Sequence, residues 1–395
     1  MRPLIIDVET TIFQKGNPHA DRNKLCYLGC YDGVSYRGWR LDGFGEPYGE
    51  KIREICAVLR DYDLVVGFNI KFDLHWMKRY GIPNKFGSLW DLQLCHFICS
   101  GQATPLPSLD SACNMVSLSG KCGDIAAKYW DKNIDTPDIP IPEMEAYLEN
   151  DCRIEWDLFQ FQIKHLSDKP KLKRLIWNAC QDLQLTGEME DNGILYDIRQ
   201  SRELGDKKLL RIQEIDRELD TLAGVEAGTI NWNSGEQLST VLYGGTLYTD
   251  GTEDYEFHYK DGRTANKRRK VRRATNFARI VEPLRGTAAA KDGNWLTNEG
   301  ILHKLHHKAL AKPKQIIQLQ LERSALDTQV NRYLHGIPDL YDEMDWTDSI
   351  IHGQLQHSTA RTGRLASSKP NIQNLTPEAL SCIKTRFPKK LPFVF

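Results

Sequence analysis

Along the first 166 or so residues the apolar positions fall in short unbroken runs separated by polar stretches, a pattern of strands alternating with helices. Leu4-Ile5-Ile6-Asp7-Val8-Glu9 reads as a buried strand. Cys26 to Tyr31 and Tyr36 to Trp39 read as the next strands, turned by Asp32-Gly33. Lys51 to Asp61 has helical spacing and Leu64 to Phe68 is a further apolar strand, after which Asn69 is placed as a helix N-cap. A proline-rich loop, Thr136 to Pro142, precedes a helix starting near Glu143. From Lys171 the period changes: Leu172 to Leu185, Asp197 to Leu222 and Lys308 to Arg332 repeat apolar residues at three- and four-residue steps. Between them Tyr243 to Asn294, rich in Gly, Thr and charge, reads as loops, hairpins and disorder. The expected boundary lies near Ser167-Asp168-Lys169-Pro170.

The length, 395 residues, allows two or three domains, and 41% hydrophobic with 27% charged residues is ordinary for a globular chain. A formal net charge of -1 hides a basic run, Lys267 to Arg273, set against a first third rich in Asp and Glu. That run is either a phosphate-contacting patch through Lys267, Arg268 and Arg269 or a solvated charged loop. The ten cysteines include two pairs four apart, Cys26/Cys30 and Cys95/Cys99, without matching second pairs at zinc spacing, so free thiols are expected. The N-terminal apolar run is too short for a signal peptide and no run is long enough to span a membrane, so a cytoplasmic protein without a membrane partner is expected.

Carboxylates carry the candidate chemistry. Asp7 and Glu9, two apart on a strand, leave the same face, and Tyr147 and Asp151, four apart on a helix, stack on one face. With Asp73 in Asn69-Ile70-Lys71-Phe72-Asp73, the ordered set resembles the three motifs of DEDD-superfamily exonucleases, the tyrosine placing it in the DEDDy branch. The resemblance implies a ribonuclease-H-like (DnaQ-like) α/β fold with a mixed sheet, binding two Mg²⁺ (or Mn²⁺) ions, which suit oxygen ligands. Asp7, Glu9 and Asp151 would hold the metals most directly and Asp73 partly through water. Tyr147 would orient the attacking water, its ordinary pKa near 10 arguing against a full general base. Asn69 and Phe72 are candidates for holding a frayed 3′ end, Phe72 equally a core aromatic. Asp91 is either a supporting acid or a turn residue, and His75 and His96 are expected simply to pack.

Thr362-Gly363-Arg364-Leu365-Ala366-Ser367-Ser368-Lys369-Pro370-Asn371-Ile372-Gln373-Asn374-Leu375 closely resembles the TGRLSS–PNLQN signature of family A DNA polymerases, phage enzymes included. Glu188 to Asp197 and Asn231 to Leu238 resemble that family's exonuclease–thumb junction and thumb segments. The resemblance implies an exonuclease domain at 1–168, a mainly helical thumb at 169–345 with a basic insert at about 250–290, and the incomplete start of an α+β palm at 346–395. Arg364 would contact the primer–template minor groove, with Asn371, Gln373 and Asn374 as backbone and groove contacts. Ala366, Ile372 and Leu375-Thr376 are mild departures from the signature. The palm's metal-binding motif does not occur before Phe395, so nucleotide addition is expected only with a palm and fingers from a second polypeptide. The apolar Leu391, Phe393, Val394 and Phe395 are expected to need a partner. The expected substrates are DNA 3′ ends and primer–template. Two alternatives stay open: a stand-alone exonuclease acting on RNA, and a non-catalytic DNA-binding polymerase fragment.

Overall fold

Leu4, Ile5 and Ile6 are shut off from solvent at the centre of a sheet whose strands follow the apolar runs. The protein is described from a computed structural model covering residues 1–41, 48–118, 125–260, 262–289 and 293–386. Leu391, Phe393, Val394 and Phe395, with the rest of 387–395, lie outside the described residues. Two compact units are present: Met1–Ile198 with the chain from Ile337 onward, and Arg199–Gly336.

In the first unit, β1 (Pro3–Thr10), β2 (Leu25–Tyr31), β3 (Tyr36–Arg40), β4 (Leu64–Gly67) and β5 (Leu89–Asp91) form one sheet in the order β3-β2-β1-β4-β5. The strands β1, β2 and β3 run antiparallel in sequence, as the Asp32-Gly33 turn dictates, while β4 is parallel to β1 and β5 to β4. Each parallel step needs a crossover: α1 (Tyr48–Leu59) lies between β3 and β4, and α2 (Lys71–Arg79) between β4 and β5. Next come α3 (Leu92–Cys99), α4 (Leu109–Met115) and α5 (Ile125–Lys128), then the long α6 (Ile141–His165) and α7 (Pro170–Asn192). Along the β5 edge the Gln181 amide pairs with both backbone groups of Leu89, and Gln184 does the same at Phe86, so side chains replace a sixth strand there.

Glycine decides how closely α6 lies on the sheet. Gly29 on β2 sits directly across from Asp7 on β1. A Cβ there would come 2.9 Å from Leu148 Cγ and 3.0 Å from Cys152 Sγ, both on α6. The missing side chain lets the helix bearing Tyr147 and Asp151 settle against the strands bearing Asp7 and Glu9.

Asn69 does not cap α2. Its φ is +58°, a left-handed conformation that Asn tolerates, and the cap position falls on Ile70 with no side-chain bond. The Asp91 carboxylate instead accepts from Ile70 N at 2.8 Å and Leu94 N at 2.6 Å, tying the start of α2 to the start of α3. All described cysteines are free thiols. No helix among the described residues is long and apolar enough to cross a membrane.

The second unit has its own core, in which Ile215, Leu219, Trp232, Leu242, Ile316 and Ile317 are buried. Its helices are Ile198–Ala223, Gly235–Tyr243, Glu299–Lys308 and Ala311–Gln329, the last ending in a π-helical turn, Val330–Leu334. The stretch expected to be partly disordered holds two paired strands, Gly245–His258 and Thr264–Phe277, in register from end to end. Alternating side chains and a Gly262 turn with φ +84° suit this long hairpin better than a loop.

Substituting Gly29→Ala is expected to destabilise the protein by about 1–3 kcal/mol, since α6 must shift to admit the methyl group. Gly49→Ala, on a helix with open space around it, should leave stability unchanged or slightly higher. Urea unfolding of the two variants checks the difference.

Candidate active site

The strand β1 aims Asp7 and Glu9 to one side, and α6 presents Asp151 to the same place. One ligand atom from each of the three carboxylates lies within 4.8 Å of the other two. From α2, Asp73 reaches the strand between them: Val8 N donates to Asp73 Oδ1 at 3.1 Å. Asp73 and Asp151 are buried, at 3% and 2% exposure. Burial, then the negative charge of Asp7, raises the Asp73 carboxyl well above its usual value. This is the conflict a cation resolves. Four hard oxygen donors gathered together, two of them buried and one pushed towards protonation by burial and by Asp7, fit a divalent metal far better than they fit one another.

Tyr147, one helical turn before Asp151, is buried and meets Trp130 edge-to-face, with ring centroids 5.8 Å apart. Trp130 donates to Thr136 Oγ1 at 3.2 Å and Thr136 donates to Thr10 O at 2.6 Å, so this wall is fixed to the end of β1 beyond Glu9. The sequence reading missed Trp130, which shares no spacing with the carboxylates. Phe72 is half-buried and packed against the main core, leaning close to Gly16. Asn69 is exposed, and both residues line a cavity of about 210 Å³ together with Lys71, Gln93, Gln356 and His357. Burial raises Asp91 to about 6, but both its oxygens serve the helix starts described above, a supporting role. His96 packs as expected, its Nε2 3.3 Å from Met115 Sδ.

His75 does more than pack. Its Nδ1 lies 2.5 Å from Asp191 Oδ1 and its Nε2 2.8 Å from Glu190 Oε2. Burial alone would lower its pKa, yet hydrogen bonds and charge from Asp191 and Glu190 raise it, which favours the imidazolium form that can donate from both nitrogens. Lys71 Nζ donates to Glu190 Oε1 at 2.6 Å and also to Leu355 O, while Leu355 N donates to Glu190 Oε1. His19 stands close enough to Asp191 and His75 to complete a metal-sized group. With both its ring nitrogens set against carboxylates and Lys71 on Glu190, His75 belongs to a buried polar network already satisfied from within. The Glu190-Asp191 dipeptide is the one in the thumb-junction motif, whose buried partners a linear motif does not reveal.

Leu355 is the middle residue of the strand Gln354–Gln356, which pairs antiparallel with Ala366–Ser368, and the stretch between them exposes Arg364. Asn371 Oδ1 accepts from Gln373 N at 3.2 Å and Gln373 Nε2 donates to Leu365 O at 3.1 Å, so these amides shape the loop itself. Asn374 is exposed. In the second unit, the thumb-like motif is also spent on internal bonds. Ser234 accepts from Gln237 N at 3.3 Å, capping the helix Gly235–Tyr243, and Arg323 joins Asn233 at 2.6 Å to Asp216 at 2.5 Å. Arg268 and Arg269 are exposed on the hairpin, and Lys267 is half-exposed on it.

No protein-family model matches the chain. The chain is 25% identical to DNA polymerase I of Synechocystis sp. over 314 residues, 78% of this chain and 26% of that protein. It is likewise 25% identical to DNA polymerase I of Pseudomonas aeruginosa over 332 residues, 82% of this chain and 31% of that protein. It therefore spans about a quarter to a third of the length of these relatives. Among solved structures, it resembles the POL domain of Pol1 from M. smegmatis in complex with DNA primer-template and dNTP. That match has a TM-score of 0.62 at 15% identity and covers 96% of this chain and 53% of the other. Over most of its length the chain is a distant relative of DNA polymerase I.

Two measurements probe this unit. In metal-free buffer, Asp73→Asn should gain stability over the parent as pH rises above the unfolded value near 3.8. The parent's protonated Asp73 contributes below its unfolded value near 3.8, and that contribution is lost as pH climbs through its raised folded value. Melting curves at each pH read the difference. Glu190→Ala, which leaves Lys71 and His75 buried without their shared carboxylate, is expected to cost about 3–5 kcal/mol. Glu188→Ala, at the half-exposed neighbouring carboxylate paired with Lys85, should be close to neutral by the same unfolding assay.

Proposed function

We propose that the first unit is a 3′–5′ exonuclease of the DEDDy kind on a ribonuclease-H-like fold, acting on DNA 3′ ends within a polymerase of family A type. The convergence of Asp7, Glu9 and Asp151, with Asp73 bonded to the strand between the first two, carries this reading. The sheet order and the position of α6 support it. The distant relation to DNA polymerase I supports a nucleic-acid substrate, and the M. smegmatis neighbour, solved with primer-template, favours DNA. In this reading residues 1–168 form the nuclease, 169–345 a thumb region and 346–395 the start of a palm. Nucleotide addition would draw on palm and fingers residues outside this sequence.

Asp7, Glu9 and Asp151 would hold two Mg²⁺ or Mn²⁺ ions, with Asp73 as a further ligand. When bound, such a pair supplies an activated water and neutralises charge on the departing 3′ oxygen. The protein's own residues set the stage for that chemistry. Val8 N fixes the Asp73 carboxyl on the strand, so it meets the other acids at a set distance. Trp130 packs on Tyr147 and limits the ring to one direction, from which its hydroxyl orients a water beside Asp151. Asn69 and Phe72, at the start of the helix bearing Asp73, are placed to hold the terminal nucleotides. Arg364, exposed at a turn, is free to meet the minor groove of primer–template.

Purified protein with 3′-labelled single-stranded DNA and Mg²⁺ is expected to release nucleoside monophosphates from the 3′ end. Cleavage should fall to background in Asp7→Ala and in Asp151→Ala, and in EDTA. Undiminished rates in both variants would sink the assignment. Faster cleavage of matched RNA would favour the stand-alone RNA exonuclease, and Mg²⁺-independent binding without cleavage the non-catalytic fragment.

A further inference from the structure

The hairpin of the second unit carries aromatic residues where they bury nothing. Only its base joins a core, through Leu247 and Phe277. Beyond that the strands run on as a two-stranded ribbon, an arrangement with little stability of its own. Yet Tyr255, Phe257 and Tyr259 recur at every second residue towards the tip, and Tyr248 stands further back with 54% of its surface exposed. None of the four belongs to either hydrophobic core. An exposed ribbon managing its edges against aggregation would be expected to carry charge there, not rings.

Each ring is matched to a cation. Lys267 Nζ lies 3.6 Å from the centroid of Phe257 and 4.8 Å from that of Tyr259. The Arg269 guanidinium is 5.4 Å from Tyr255, that of Arg263 5.6 Å from Tyr259, and that of Arg272 4.4 Å from Tyr248. Neighbouring rings meet edge-on, with Tyr255 and Phe257 centroids 6.4 Å apart and those of Phe257 and Tyr259 4.9 Å apart. In the antiparallel register Tyr255 faces Lys267 and Glu253 faces Arg269, so Tyr255 and Phe257 share one face of the ribbon with Lys267 and Arg269, while Tyr248 and Arg272 lie on the other. Some of the charge is answered internally, by Asp254 on Arg268 at 2.7 Å and Glu253 on Arg269 at 3.2 Å. The basic groups still outnumber the acids along the two strands.

Alternating flat apolar faces and cations are what an unpaired nucleic-acid strand binds: bases stack on rings while phosphates meet the flanking Lys and Arg. We propose that this hairpin is a single-stranded nucleic-acid-binding arm, with Tyr255, Phe257 and Tyr259 as its stacking platform and Lys267 and Arg269 as its phosphate contacts. A double helix hides its base faces, so the ladder favours an unpaired strand. The inference stands apart from the carboxylate site and goes beyond the nuclease reading.

The test uses the whole chain carrying Asp7→Ala, in EDTA, so that cleavage plays no part and failure here leaves the nuclease reading untouched. Fluorescence anisotropy with labelled oligothymidylate is measured for the parent and for Tyr255→Ala/Phe257→Ala. The double variant is expected to lose at least about tenfold in affinity, the scale of stacking lost at two rings. It should lose little for inorganic polyphosphate, which has charge and no bases. Lys267→Gln/Arg269→Gln should weaken both ligands and flatten the salt dependence. If the alanine variant melts early, Tyr255→Leu/Phe257→Leu keeps apolar bulk on the strand while removing the aromatic faces. Oligouridylate losing affinity in parallel with oligothymidylate supports a site that does not read the sugar. Unchanged oligothymidylate binding in the folded aromatic variants overturns the proposal. So does duplex DNA bound as tightly as the single strand, with the same loss.

Discussion

Negative charge gathered in one place, half of it out of water, is the condition to which the first unit is built. Carboxylates as close as those of Asp7, Glu9 and Asp151 repel one another when ionised, and the charge of Asp7 helps to raise Asp73. Apolar packing holds them together. The buried runs of β1, β2 and β4 fix the sheet, and the bare backbone of Gly29 lets α6 lie against it through Leu148 and Cys152. The electrostatic cost at one face is offset by burial elsewhere in the same unit, and it becomes an asset once a divalent ion shares the acids.

A second buried charge cluster lies on the other side of α2. Within nine residues that helix points Asp73 at β1 while Lys71 and His75 meet Glu190 and Asp191. The two clusters differ in kind. In the first the charges are alike and invite an ion, whereas in the second they alternate and satisfy each other. Two groups of metal-ligand size can therefore look similar by distance and still differ in what they ask of solvent. In the second, Glu190 and Asp191 are already engaged by Lys71 and by both ring nitrogens of His75.

What the sequence disclosed follows from range. Strands β1 and β4, helix α6 and the placement of Asp7, Glu9, Tyr147 and Asp151 rest on local period and were readable. The helices from Pro170 onward were legible for the same reason, though Lys308 to Arg332 proved to be the end of one helix, a second helix and a π turn. The Asn69 cap failed because Asn69 is left-handed, with φ +58°, and the carboxylate that meets the helix start, on Ile70 N, comes from Asp91, 21 residues beyond Ile70. The hairpin was blurred by its charge and glycine, which mask strand alternation. Trp130 against Tyr147, and Leu355 against Glu190, join residues with no shared pattern, so only the fold could show them. Whether the carboxylates act as a nuclease rests on likeness and chemistry rather than on any single spacing.

The bond between Leu355 and Glu190 closes over 165 residues of chain, with the whole second unit in between. During synthesis at roughly 5–20 residues per second, Glu190 leaves the ribosome some ten to thirty seconds before the strand that completes its bonding, and Lys71 earlier still. The inserted unit has its own core and is made in that interval. The first unit is thus the one begun earlier and finished later, and until Leu355 arrives its charged seam stays open to water.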